Sequence, residues 1–98
     1  MRVVQHPEAT TELTEAGRFY EQKVRSLGAQ FLDAVDEAVA VIAAAPNRWP
    51  VVEDDVRRYL MPRFPYAIYY RALPDEIRIL AFKHHSRHPD YWRHRSSR

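Results

Sequence analysis

Between Lys83 and Arg95 the chain gathers four of its five histidines, three arginines, a lysine, Tyr91 and Trp92. The run reads Lys83-His84-His85-Ser86-Arg87-His88-Pro89-Asp90-Tyr91-Trp92-Arg93-His94-Arg95. Imidazoles titrate near neutrality, so His84 and His85 have the chemistry of a general acid or base. Cleavage of RNA by its own 2′-OH needs such groups: a base for the hydroxyl proton, a donor for the leaving 5′ oxygen, and cations around the phosphorus. His84, His85, His88 and His94, with Asp90, are also metal-ligand types. His84 and His88 stand four apart, but Pro89 follows directly and the run offers no defined ligand geometry. Neither a metal site nor a cofactor is expected.

The charge of the whole chain frames this stretch. Residues 1–55 hold five Lys/Arg and ten Asp/Glu, whereas residues 56–98 hold ten and three, so a formal net charge of +2 hides an acidic half and a basic half. A cationic surface interleaved with Tyr, Trp and His suits a polyanion or an acidic protein segment. Direct DNA reading is disfavoured, because both expected helices fall in the acidic half and no basic recognition helix is available. A length of 98 residues suits a single domain over 1–98, and the absence of cysteine excludes disulfides and thiolate metal sites. Residues 1–6 are too short and polar for a signal peptide, and no apolar run approaches membrane-spanning length, so a cytoplasmic location is expected.

The elements that must position these residues can be read from periodicity. Arg2–Gln5 is a short strand around Val3-Val4, and Pro7 sits where a first helical turn tolerates it. Ala9, Leu13, Ala16, Tyr20, Val24 and Leu27 then form one apolar stripe, with Glu8, Glu12, Glu15 and Glu21 on the wet side and Gly28 as the C-cap. Phe31, Val35, Ala38, Ile42 and Ala45 form a second stripe that Pro46 ends, so two helices should fold back as a hairpin. Pro46–Asp55 reads as a loop that Trp49 pins to the core. Val56–Met61, Tyr66–Leu73 and Ile77–Lys83 are rich in β-branched and aromatic residues and read as strands. Pro62 and Pro65 confine Arg63-Phe64 to a connection or an edge, and Pro74-Asp75 marks a hairpin turn. Because Ile77–Lys83 is apolar on both faces, it should lie inside the sheet. The expected fold is α+β, in the order β-α-α-β-β-β, with a helical hairpin on one face of a mostly antiparallel sheet. Tyr66–Tyr70 is aromatic on both parities, so the helix-covered face of that strand stays unassigned.

Several of these pieces together resemble the RelE/ParE superfamily of toxins from type II toxin–antitoxin pairs, and the likeness spans almost the whole chain. They are the His6-Pro7-x-Ala9 helix start, Tyr20 followed by Gly28-x-x-Phe31, and the helix stop at Pro46. Further on come Phe64-Pro65-Tyr66-Ala67-Ile68-Tyr69-Tyr70, then Ile77-Arg78-Ile79-Leu80-Ala81-Phe82, and the closing Arg87-x-Pro89-x-Tyr91-Trp92-x-x-Arg95. The resemblance implies a cognate antitoxin whose extended, partly helical segment wraps the toxin and whose other end represses the shared operon. Operator DNA would then be met only through that antitoxin. One branch, RelE-like, cuts mRNA in the ribosomal A site without a metal. The other, ParE-like, binds DNA gyrase and stalls it.

The resemblance gives Arg87 the place of a phosphate-binding arginine and Tyr91 that of a catalytic tyrosine, with His85 as a third candidate. Arg57, Arg58, Arg71, Arg78 and Lys83 lie on the expected strands, and some of them must project from the face without helices. Two readings stand side by side. The RNA-cleaving branch usually adds lysines on the sheet, whereas Lys83 is the only lysine after residue 55. Arg87, Tyr91, Trp92 and Arg95 also suit a packing role, since Tyr and Trp bury well with one polar tip satisfied. The balance favours a ParE-like contact inhibitor of gyrase. A RelE-like ribonuclease and a degenerate member that keeps only antitoxin binding are the alternatives.

Overall fold

Pro7 opens the first long element, as its missing N–H predicts, in a computed structural model that describes residues 1–96; the last two residues of the expected domain lie outside the described ones. Strand β1, Arg2–Gln5, leads into helix α1, Pro7–Lys23. His6 caps α1 by accepting the Glu8 N–H on its Nδ1 at 3.1 Å. Helix α2, Leu27–Ala44, follows a turn in which Ser26 takes a left-handed φ of 71°.

Three details of the helical hairpin differ from the sequence reading. Val24 is not part of the buried stripe: it is the exposed residue that ends α1. Gly28 is not the cap of α1 but lies in the first turn of α2, where the helices touch. A Cβ there would sit 2.5 Å from the Gly17 carbonyl oxygen, so the small residue is required by a close crossing. Glu21, assigned to the wet side, instead caps α2 by accepting the N–H groups of Ser26 and Gly28, each at 3.0 Å. Of the second stripe Phe31, Val35, Ala38 and Ile42 are all in the core, whereas Ala45 is the half-buried residue that ends α2.

The segment read as a loop contains a further strand. Val51–Glu53 forms β2, which pairs antiparallel with β3, Val56–Leu60, through a tight turn at Asp54-Asp55. Asp54 adopts φ 51°, a conformation that aspartate tolerates better than most residues. Trp49 does pin this segment, with its ring 4.7 Å from that of Tyr59. Strand β4, Tyr66–Leu73, and strand β5, Glu76–His84, form the hairpin expected around Pro74-Asp75. The sheet order is β1-β5-β4-β3-β2, with β1 parallel to β5 and the other pairs antiparallel. Strand β5 is therefore interior, as its two apolar faces require.

Both faces of the sheet are covered, which is why Tyr66–Tyr70 is aromatic on both parities. On the helix side Phe31, Ile42, Ile68, Tyr70, Ile79 and Phe82 form the main core. On the other side Val56, Ala67, Tyr69, Leu80 and Ala81 pack against Trp92 of the closing segment. Tyr70 faces the helices and donates its hydroxyl to the Pro46 carbonyl at 2.6 Å. Tyr69 faces the opposite way, with its ring 5.1 Å from Trp92.

At one end of the sheet Glu76, almost fully buried, joins β1 to β5. It pairs with Arg2 at 2.8 Å and with Arg78 at 2.7 Å. These hydrogen bonds, Arg2 first, hold its carboxyl below the usual 4.5. The pairs therefore contribute their full stability above that value and lose it as the pH falls through the lowered one. Glu76→Gln should be less stable than the parent at neutral pH and should lose less stability on acidification. Urea midpoints at about pH 7 and about pH 3.5 check this.

Candidate functional site

The helix-free face of the sheet carries the hollow around which the strand cations gather. Across three strands Leu60, Ala67 and Lys83 stand in one row, and Arg58, Tyr69 and Ala81 in the next. Ala67 at the centre of the first row leaves space between the longer side chains of Leu60 and Lys83. The result is a cavity of about 310 Å³ lined by Arg58, Leu60, Ala67, Tyr69, Lys83 and His85.

The cations named from the sequence separate into two groups. Arg71 and Arg78 face each other across β4 and β5, and each is neutralised by its own acid. Arg71 makes a two-pronged pair with Asp55 at 2.9 Å, and Arg78 pairs with Glu76. Arg57 does not share this face at all. Its cross-strand partner is Tyr70, on the helix side, and its guanidinium donates to the carbonyls of Asn47 at 3.0 Å and Trp49 at 2.7 Å. Arg58 and Lys83 remain at the hollow. Neither has an acidic partner among the described residues; Lys83 donates only to the His84 carbonyl at 3.2 Å, and the Arg58 Nε is buried without a partner. Burial, then the charges of Arg58 and Arg87, push the Lys83 ammonium down from its ordinary value.

The closing segment is organised by a residue that the sequence reading left in solvent, Glu12. Beyond Gln5, which pairs with Ile79, β1 ends and the rest of β5 has no strand on that side. Glu12 of α1 reaches this free edge and accepts the Phe82 N–H at 3.0 Å. The same carboxylate accepts the Arg95 guanidinium at 2.9 Å and the Tyr91 hydroxyl at 2.5 Å. Arg95, almost fully buried, donates in addition to the Leu80 carbonyl at 3.1 Å. Charged side chains thus satisfy backbone groups that the missing strand would have paired.

Tyr91 is enclosed by this arrangement. Arg87 lies over its ring at 4.0 Å and Arg95 at 4.9 Å. Burial, together with the bond to Glu12, raises the hydroxyl well above its ordinary value. A phenol so placed donates a hydrogen bond and resists losing its proton. Trp92 donates to the Pro89 carbonyl at 2.6 Å, and Arg93 pairs with Glu53 of β2 at 2.7 Å, which ties the segment to the far edge of the sheet.

The histidines do not converge. His84 and His88 each accept a backbone N–H two residues ahead on Nδ1, from Ser86 at 3.0 Å and Asp90 at 3.1 Å, and so shape turns. His94 approaches Glu8 at 3.0 Å, and only His85 lines the hollow. Among the described residues no three His, Asp or Glu side chains are grouped to hold a metal ion. No described helix is long and apolar enough to cross a membrane.

Comparison with known proteins follows the same lines. Residues 3–89 match the family model described as the ParE toxin of the type II toxin–antitoxin system, parDE. The match stops short of Tyr91, Trp92 and Arg95. The solved structure titled "Chromosomal ParDE TA system from P. aeruginosa" superposes with a TM-score of 0.61 at 21% identity, covering 86% of this chain and 95% of that chain. That likeness concerns the fold. Among curated proteins none matches the chain.

Proposed function

Since the chain belongs to the ParE toxin family of type II toxin–antitoxin systems, we propose that it arrests growth by binding DNA gyrase rather than by cutting RNA, and that a cognate antitoxin neutralises it. The observation that carries this reading is the state of Tyr91. Its hydroxyl is committed to Glu12, and the guanidinium groups of Arg87 and Arg95 both lie against its ring. A general base must reach the proton it abstracts and titrate near the working pH. The Tyr91 hydroxyl is held by Glu12 and pushed up from its ordinary value, away from the second condition, and Arg87 lies over its ring. The cations left at the hollow, Arg58 and Lys83, are too few to form the lysine-rich set of the RNA-cleaving branch. The closing segment thus works as a clasp that holds the sheet to α1, and the toxin acts by contact.

The antitoxin in this reading offers an acidic, partly helical segment to the basic sheet face. It also supplies any operator contact, because both helices of the toxin lie in the acidic half of the chain. The setting is the cytoplasm, and residues 1–98 act as one domain without a cofactor. Growth arrest on induced expression tests the clasp assignment. Arg87→Ala and Tyr91→Phe, each first shown to melt cooperatively, should still arrest growth. Loss of arrest in both variants, with the fold intact, would restore the ribonuclease. No arrest from the parent itself would leave a member that only binds antitoxin.

A further inference from the structure

The hollow between Arg58 and Lys83 has a feature that packing does not explain. A charge removed from water is ordinarily matched by an opposite charge. Arg71, Arg78, Arg93 and Arg95 all follow that rule, with Asp55, Glu76, Glu53 and Glu12 as partners. Arg58 and Lys83 do not, although Lys83 is only 7% exposed and the Arg58 Nε is buried. The charges that act on Lys83 are those of the cations Arg58 and Arg87. Like charges gathered around a cavity oppose folding, so the arrangement is suited to an anion that arrives from outside.

The shape of the hollow narrows the kind of anion. Leu60 and Lys83 are two strand spacings apart, about 10 Å between backbones, with only Ala67 between them. A carboxylate on a short stem fits that gap. Leu60 is 55% exposed at the rim, an apolar contact for a neighbouring side chain. Tyr69, the one Tyr, Phe or Trp of the lining, is buried against Trp92 and offers no open ring on which a nucleobase could stack. We propose that this hollow is an anion pocket in which Arg58 and Lys83 clamp a side-chain carboxylate from an acidic, partly apolar segment of a partner protein. The inference rests on the toxin reading above only in naming that partner as the antitoxin; the pocket stands or falls on binding alone.

The test uses the full chain and a fluorescently labelled glutamate dodecapeptide, read by anisotropy at low salt. Arg58→Gln and Lys83→Met should each weaken binding by about tenfold or more, as loss of a desolvated charge contact does. Arg71→Gln and Arg78→Gln, on the same face but already neutralised, should change it by less than about twofold. Lys83→Arg should retain most of the binding, since the charge is kept. Equal losses in all four neutralising variants, or none from Arg58→Gln and Lys83→Met, would overturn the pocket. An oligouridylate of equal length that binds more tightly, with the same dependence on Arg58 and Lys83, would overturn the carboxylate assignment. None of these outcomes depends on whether the protein arrests growth, so a failed pocket and a failed toxin reading give different results.

Discussion

Glu12→Ala should destabilise the protein by about 3 kcal/mol or more, the range found when one partner of a buried ion pair is removed. The carboxylate serves the Phe82 N–H, the Tyr91 hydroxyl and the Arg95 guanidinium together. Truncation leaves Arg95 with a side chain only 5% exposed and with the more distant Glu8, at 3.3 Å, as its remaining acid. It also strips the cap from the unpaired edge of β5. For a domain of this size, such a loss corresponds to a fall in Tm of about 12 °C or more. Glu12→Leu combined with Arg95→Met should recover only the part of that loss that comes from the unpaired Arg95 charge, because the Phe82 N–H, the Leu80 carbonyl and the Tyr91 hydroxyl still lose their partners. A double-mutant cycle by urea denaturation separates the two effects. Additive losses would mean that Glu12 and Arg95 are not coupled and that the clasp is held by Trp92 alone.

Gly28→Ala should also be costly, by about 2–3 kcal/mol, although alanine is the better helix former. The new methyl would stand 2.5 Å from the Gly17 carbonyl oxygen, and backbone cannot swing aside as a side chain can. The helices would have to separate, which loosens the Tyr20–Phe31 contact at 5.2 Å and the caps supplied by Glu21. Gly17→Ala is the internal control. Its methyl would meet Leu32 at 3.7 Å, an ordinary contact, so a gain of up to about 1 kcal/mol is expected from helix propensity. Thermal melts of the two variants should move in opposite directions. Similar shifts would show that the close crossing does not constrain Gly28.

The contrast between these residues shows what periodicity reveals and what it leaves hidden. The stripe Phe31, Val35, Ala38 and Ile42 was legible because burial along one helix face repeats every three to four residues. The interior place of β5 was legible because Ile77, Ile79, Leu80 and Phe82 leave no polar face. Glu12 was not legible. On α1 it has the same spacing and neighbours as the solvated glutamates around it, and its role depends on Arg95, a residue 83 positions away. Arg71 was not legible as a neutralised charge because Asp55 meets it only through the β3–β4 register, whereas Glu76 stands two residues before Arg78 on the same face of β5, a pairing that period-two alternation does carry. Strand β2 was missed because Val51–Glu53 is too short to alternate, though Val51-Val52 before Asp54-Asp55 is a hairpin signal. Gly28 was misread because a cap and a close crossing ask for the same residue. In the candidate site, Arg58, Lys83, His85, Arg87 and Tyr91 were all named from the sequence. Their division into a cationic hollow and a structural clasp emerged only when the strands and α1 were in place.

A supercoiling assay with purified DNA gyrase and relaxed plasmid bears most directly on how this toxin acts, with mRNA from expressing cells followed in parallel. Inhibition of supercoiling with intact mRNA, unchanged in Tyr91→Phe, is the predicted result. Unimpaired supercoiling together with cleaved mRNA, abolished by Tyr91→Phe, would contradict the contact mechanism and return Tyr91 to chemistry.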